Sequence, residues 1–161
     1  MIRAPTLWII YGSFFLGLVW AVIPLPEAMQ AARPYLLAMF LVYWLMEAPL
    51  SVGLGTAFVV GLLADLSSAS LLGEQAVRLV IVAFLVQRFR ARLRFFPLWQ
   101  QAITVGLLLL NDRIVVTLMH LLASAPLAPW SSLLAPVVAL VVWPWLFVLL
   151  DLARLRARER N

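Results

Sequence analysis

Asp65, Glu74, Arg78, Asp112 and Arg113 are the ionisable residues that stand within or at the edge of long apolar runs in this chain. A charge at such depth in lipid is costly, so it turns to the interior of a helix bundle and finds a partner there. At about 1.5 Å of rise per residue, Arg78 lies about 15 Å from Arg88, Asp112 about 21 Å from Leu98 and Asp65 about 20 Å from Val52. These heights place the group in one half of the layer and predict a polar cluster in which Arg78 pairs with Asp65 or with Asp112. Glu74 stands at i, i+4 to Arg78 and joins it. Two chemistries fit: ion pairs that fix helix register, or a site for a ligand or ion. Asn111 and His120 share the run that holds Asp112, but His120 is the only histidine. A proton relay through it needs a second acid–base partner that the spacing does not supply.

Other chemistry is sparsely provided for. Cysteine is absent, which excludes disulfides, thiol nucleophiles and, with a single histidine, any Cys or multi-His metal cage. No GxSxG elbow, Walker loop or dinucleotide fingerprint occurs. The expectation is a chain that is not an enzyme and uses no metal and no cofactor.

The elements that must position the charged residues are apolar. Of 161 residues, 65% are apolar and 12% charged, where a soluble domain is about half apolar. A membrane helix needs about 20 apolar residues, and breaks at proline, charge or small polar clusters delimit six runs, at about residues 7–23, 34–50, 52–66, 72–87, 98–123 and 132–150. Pro24 and Pro26 stop the first, Pro34 opens the second, Pro49 ends it and Pro97 opens the fifth. The third run is short. It is divided from the fourth by Asp65–Gly73 (DLSSASLLG), read as a tight outer loop rather than a re-entrant turn. Pro144 predicts a kink in the last helix. The stretch WAVIPLPEA after the first run has no small-x-small cleavage pattern, so that run is read as a retained helix rather than a signal peptide. The fold class is therefore all-α, a single polytopic domain over residues 1–161.

Charge bias orients it. All twelve basic residues are arginine, and nine stand in three places: Arg3, the run Arg88, Arg90, Arg92, Arg94, and the tail Arg154, Arg156, Arg158, Arg160. Cytoplasmic loops carry the positive excess, so both termini are expected inside, with only Arg33 in an outer loop. Trp8, Trp44, Trp99, Trp143 and Trp145 then fall toward the inner interface, and Trp20 and Trp130 toward the outer one. The arginine clusters abut apolar runs and lack aromatic stacking platforms, which speaks for membrane flanks and against nucleic acid. Small residues four apart, Ser13, Gly17 and Ala21 in the first run and Gly53, Ala57 and Gly61 in the third, predict close helix packing. The packing is either within the bundle or against a partner helix.

The string RPYLLAMFLVYWLMEAPLSVGLGTAFVVGLLADLSSASLLG, with LWQQA at Leu98–Ala102 and WPW at Trp143–Trp145, resembles the proteobacterial MreD family over nearly the whole chain. Arg33-Pro34, Tyr43-Trp44, Pro49, Val52–Thr56, Gly61–Asp65 and Leu72-Gly73 carry the resemblance, and Ala69 stands where the family's D-x-x-x-G-x-x-L-G pattern has its internal glycine. The resemblance implies a multi-pass inner-membrane protein of the cell-elongation machinery. It implies MreC as direct partner, and MreB, RodA and penicillin-binding protein 2 in the larger complex that makes peptidoglycan, with membrane lipid around it. The family is also similar in architecture to the S-components of energy-coupling-factor transporters. That implies an alternative role as a small-molecule or lipid-binding transport subunit with a polar pocket in its outer half.

Overall fold

The computed structural model describes residues 4–24, 26, 32–68, 72–124, 126 and 129–159. Among these there are six α-helices and no strand: α1 Ala4–Val22, α2 Leu36–Glu47, α3 Leu54–Ser68, α4 Glu74–Leu93, α5 Leu98–Leu122 and α6 Leu134–Glu159, the last led in by a 3-10 turn at Trp130–Leu133. Each falls on one of the six apolar runs. The middle of the Asp65–Gly73 turn, including Ala69, lies outside the described residues, as do Arg3 and Arg160.

The boundaries differ from expectation where backbone chemistry overrides hydropathy. α2 begins two residues late because Tyr35, at φ −79° and ψ 75°, forms an inverse γ-turn in which the Leu36 N–H donates to the Pro34 carbonyl at 2.9 Å. It ends at Glu47, where the N–H groups of Ser51 and Val52 turn back to the Ala48 carbonyl at 3.0 Å across Pro49. α4 runs on through Arg88, Arg90 and Arg92 because arginine is a good helix former and its long stem lets the charge reach out of the apolar layer. α6 continues through Pro144. α5 and the stretch Trp130–Ala157 are long and apolar enough to cross a membrane; α1, α2 and α3 are apolar but shorter.

Polarity is distributed inside out. Ser13, Asp65, Glu74, Arg78, Gln101 and Asp112 are buried, while Trp8, Phe15, Leu16, Phe58, Leu107 and Val141 are exposed. A water-facing surface would bury the second set and expose the first; this one suits lipid, in keeping with a membrane location. α2 is the axis of the bundle, with Leu37–Met39 and Leu41–Met46 all 2% exposed or less. Trp44 and Trp143, expected toward the inner ends of their helices, are completely buried within the bundle. The indole N–H of Trp44 donates to the Ser13 hydroxyl at 2.7 Å, and that hydroxyl donates to the Ile10 carbonyl at 2.8 Å. Tyr43 stacks edge-on against Trp44 and Phe147 with centroids 5.0 and 5.3 Å away.

The small-residue stripes are seams within the bundle. Ser13 and Gly17 face α2, where a Cβ on Gly17 would meet Leu37 Cδ1 at 2.9 Å. Gly61 is the tightest position: a Cβ there would fall on the Cα of Ala76 and 2.7 Å from its nitrogen, so only glycine admits the first turn of α4. Ala57 is buried one turn earlier, and Gly53, just ahead of α3, has only Gln87 Nε2 within reach, at 3.8 Å. Gly106 is a packing glycine that the spacing rule missed, pressed by Leu140 of α6 at 2.7 Å from the same hypothetical atom.

Candidate functional site

The polar side chains converge at the end of the bundle where α4 begins. The seam at Gly61 brings the start of α4 against α3, and Asp65 follows one turn later on the same face. A helix start leaves four N–H groups without intrahelical partners. The residue that caps α4 is Gly73, which has no side chain to offer and sits at φ +96°, where a Cβ would be strained. Asp65 supplies the cap from across the loop: its Oδ2 accepts from the N–H of Gly73 at 2.9 Å and of Ala76 at 3.4 Å, and its Oδ1 from Gln75 at 2.8 Å. Its negative charge also complements the positive end of the α4 dipole.

With Asp65 engaged there, Arg78 takes the other of its two expected partners. Its Nε donates to Asp112 Oδ1 at 2.8 Å and its Nη2 to Oδ2 at 2.6 Å, a two-pronged bond between α4 and α5 with both residues buried. The remaining nitrogen, Nη1, donates to Gln75 Oε1 at 3.3 Å and lies 3.6 Å from Glu74 Oε1. Tyr35 packs its ring 4.7 Å from the guanidinium carbon and donates its hydroxyl to the same Gln75 oxygen. Glu74 also faces His120, Oε2 to Nε2 at 3.5 Å, and His120 Nδ1 donates to the Pro126 carbonyl at 2.8 Å. So four of the five expected cluster residues and His120 are joined at one end, directly or through the first turn of α4. Tyr35 and Gln75, which complete the joint, were missed because both sit at the edge of a run, where a polar residue reads as a boundary. Gln75 lies one turn before Arg78, and that spacing was the available signal.

Arg113 is beside the network but not in it: among the described residues its guanidinium makes no hydrogen bond or ion pair. It shares with Arg33 and Trp20 a cavity of about 200 Å³ between α1, the start of α2, α4 and α5. Gly17 and Ala21, the upper part of the α1 stripe, form one wall. Arg33 stacks over the Trp20 ring at 5.5 Å, and burial pulls its pKa below the ordinary arginine value. Among the described residues Arg33 Nη2 and Trp20 Nε1 are both buried without a hydrogen-bond partner. Arg78 and Tyr35 also line the space, but their polar atoms are already bonded. The groups left over around this cavity are donors, and what would satisfy them is an acceptor, best an anionic one. No group of three or more His, Asp or Glu residues that could hold a metal ion occurs among the described residues.

At the opposite end, Arg154 on α6 pairs with Glu47 at the end of α2, and Arg90 Nε donates to the Met46 carbonyl at 3.2 Å.

Comparison with known proteins gives a family. The family model described as rod shape-determining protein MreD matches residues 3–153. The rod shape-determining protein MreD of Haemophilus influenzae is 28% identical over 152 residues, which are 94% of this chain and 94% of that protein. No solved structure matches the chain.

Proposed function

The chain belongs to the MreD family of rod shape-determining proteins, and on that premise we propose that it is the membrane scaffold of the cell-elongation complex that holds MreC. In this reading it crosses the inner membrane six times with both termini in the cytoplasm, as an S-component-like bundle. MreC is its direct partner; MreB, RodA and penicillin-binding protein 2 join the larger complex, and the chain supports peptidoglycan synthesis without catalysing it. The single observation that supports a binding role is the cavity beside Arg113: among the described residues Arg33 Nη2 and Trp20 Nε1 are buried without an acceptor, and the Arg113 guanidinium makes no hydrogen bond or ion pair. A desolvated donor without a partner costs about 1–3 kcal/mol. A carboxylate or run of carbonyls from a membrane-proximal segment of MreC would remove that cost. The stripe at Ser13, Gly17 and Ala21 serves this role by seating α1 where Gly17 and Ala21 wall the cavity, and the one at Gly53, Ala57 and Gly61 by seating α3 against the α4 that carries Gln75 and Arg78.

The test is co-purification of tagged MreC with the chain in mild detergent. Arg33→Glu with Arg113→Glu is expected to cut recovery of MreC at least tenfold while the chain still elutes as a single species. Undiminished recovery would sink the reading. The same cavity favours a second reading, a small anionic molecule held as in an S-component. Native mass spectrometry of the chain without MreC separates the two, since a bound mass lost in the Arg33→Glu, Arg113→Glu variant belongs to the second.

A further inference from the structure

A second cavity, of about 210 Å³, opens between α4 and α5 at the arginine-rich end, far from the one just described. Its walls are Leu85 and Phe89 of α4, Phe96 of the connecting turn, and Thr104 and Leu108 of α5, with Arg92 at its edge. The Thr104 hydroxyl is used within its own helix, donating to the Gln100 carbonyl at 2.9 Å. The lining therefore offers one available polar group, the Arg92 guanidinium.

That guanidinium makes no ion pair among the described residues. No Asp or Glu occurs between Arg78 and Asp112, a stretch that contains Arg88, Arg90, Arg92 and Arg94. Arg90 is bonded to the Met46 carbonyl, and the nearby Glu47 is taken by Arg154. Among the described residues Arg88, Arg92 and Arg94 make no ion pair, and Arg88 and Arg92 repel each other at i, i+4. An apolar groove running inward from an unpaired cation at the edge of the apolar layer is complementary to one class of molecule, an amphiphile with an anionic head and a hydrocarbon tail.

We infer that this groove is a binding site for an acidic phospholipid, with its phosphate on Arg92 and one acyl chain lying between Leu85, Phe89 and Leu108. Arginine suits the head because its planar fork grips phosphate oxygens in pairs. The half-exposed Phe89 and the Phe96 beside it close over the chain. The lipid would also offset the repulsion between Arg88 and Arg92 and tie the α4–α5 turn to the bilayer. The inference rests on the membrane location of the chain and not on any protein partner.

Native mass spectrometry of the full chain titrated with dioleoyl phosphatidylglycerol or dioleoyl phosphatidylcholine tests it. Phosphatidylglycerol is expected to bind at least fivefold more tightly. Arg92→Gln should erase that preference, whereas Arg94→Gln, which removes the same charge outside the groove, should leave it within twofold. Leu108→Trp, which fills the groove, should weaken both lipids. Equal losses for Arg92→Gln and Arg94→Gln would reduce the effect to diffuse surface charge and overturn the site, as would equal affinity for the two lipids. If Leu108→Trp does not fold, the comparison of the two arginine variants still decides.

Discussion

The bond between Arg78 and Asp112 is the structural claim most open to measurement. Both groups are buried, at 7% and 2% exposure, and two short bonds join them. Removing one partner of such a pair leaves an uncompensated charge and costs about 3–5 kcal/mol, whereas replacing both by apolar residues is often close to neutral. Asp112→Asn keeps the shape and one acceptor but loses the counter-charge. Glu74, 3.6 Å from Arg78, offsets part of that loss, which places the variant near the lower limit, about 3 kcal/mol. Arg78→Leu strands the Asp112 carboxylate and frees Gln75 and Glu74, which places it near the upper one. For a chain of this length 1 kcal/mol moves the thermal midpoint by about 2–4 °C, so the variants should melt about 6–12 and 10–20 °C lower in detergent. Arg78→Leu with Asp112→Leu should be less damaged than the sum of those same two substitutions made singly by at least about 2 kcal/mol, because residues in contact do not behave independently. Losses that add to within about 0.5 kcal/mol, or single variants that melt like the wild type, would refute the claim that this pair holds α4 to α5.

Asp65→Ala should cost about 2 kcal/mol, the upper end for loss of a helix cap, and hydrogen exchange should show the amides of Gln75 and Ala76 opening faster than the rest of α4. Gly61→Leu drives a side chain into the backbone of α4 and should abolish monodisperse protein, while Gly53→Leu, with no close neighbour but Gln87, should be tolerated; size-exclusion profiles distinguish them. Because the chain has no cysteine, single-cysteine variants report topology directly. Ser131→Cys should react with an impermeant maleimide added outside cells, and Phe95→Cys only after permeabilisation.

Much of the fold was legible because lipid leaves few options. Apolar runs must be helices, and all six appeared. Misjudged boundaries trace to backbone hydrogen bonds that hydropathy does not encode: the inverse γ-turn at Tyr35 shortens α2, and the arginines of α4 lengthen it. The burial of two tryptophans was hidden for a related reason. The interface rule describes a residue facing lipid, and Trp44 and Trp143 belong to helices whose neighbours on either side cover them, a tertiary fact invisible along one strand of sequence. The charged cluster was legible in height but not in azimuth. Rise per residue put Asp65, Arg78 and Asp112 at one level, yet Arg78 could reach either carboxylate until the Gly61 seam turned Asp65 toward the amides of α4. Arg33 and Trp20 each read as an ordinary flank, and only the folded chain shows their donors at one cavity.

That cavity bears on why Arg113 is there at all. Among the described residues the carboxylates at its end of the bundle are engaged: Asp65 with the α4 amides, Asp112 with Arg78, and Glu74 with Arg78 and His120. Arg113 therefore brings a partly buried cation that makes no ion pair among the described residues, since the neighbouring Asp112 spends both its oxygens on Arg78. For the stability of the chain alone a leucine would serve as well or better, as apolar replacements of buried charges often do. A destabilising residue of this kind is expected where function uses it. Arg113→Leu should accordingly leave the thermal midpoint of the isolated chain unchanged or raise it by a few degrees, and at the same time lower recovery of MreC at least fivefold. Binding to the folded state stabilises it by mass action, so added MreC should raise the midpoint of the wild type and not that of the variant. A variant that melts several degrees lower on its own would show that Arg113 is held by the bundle itself, and the case for an external acceptor at this cavity would fall with it.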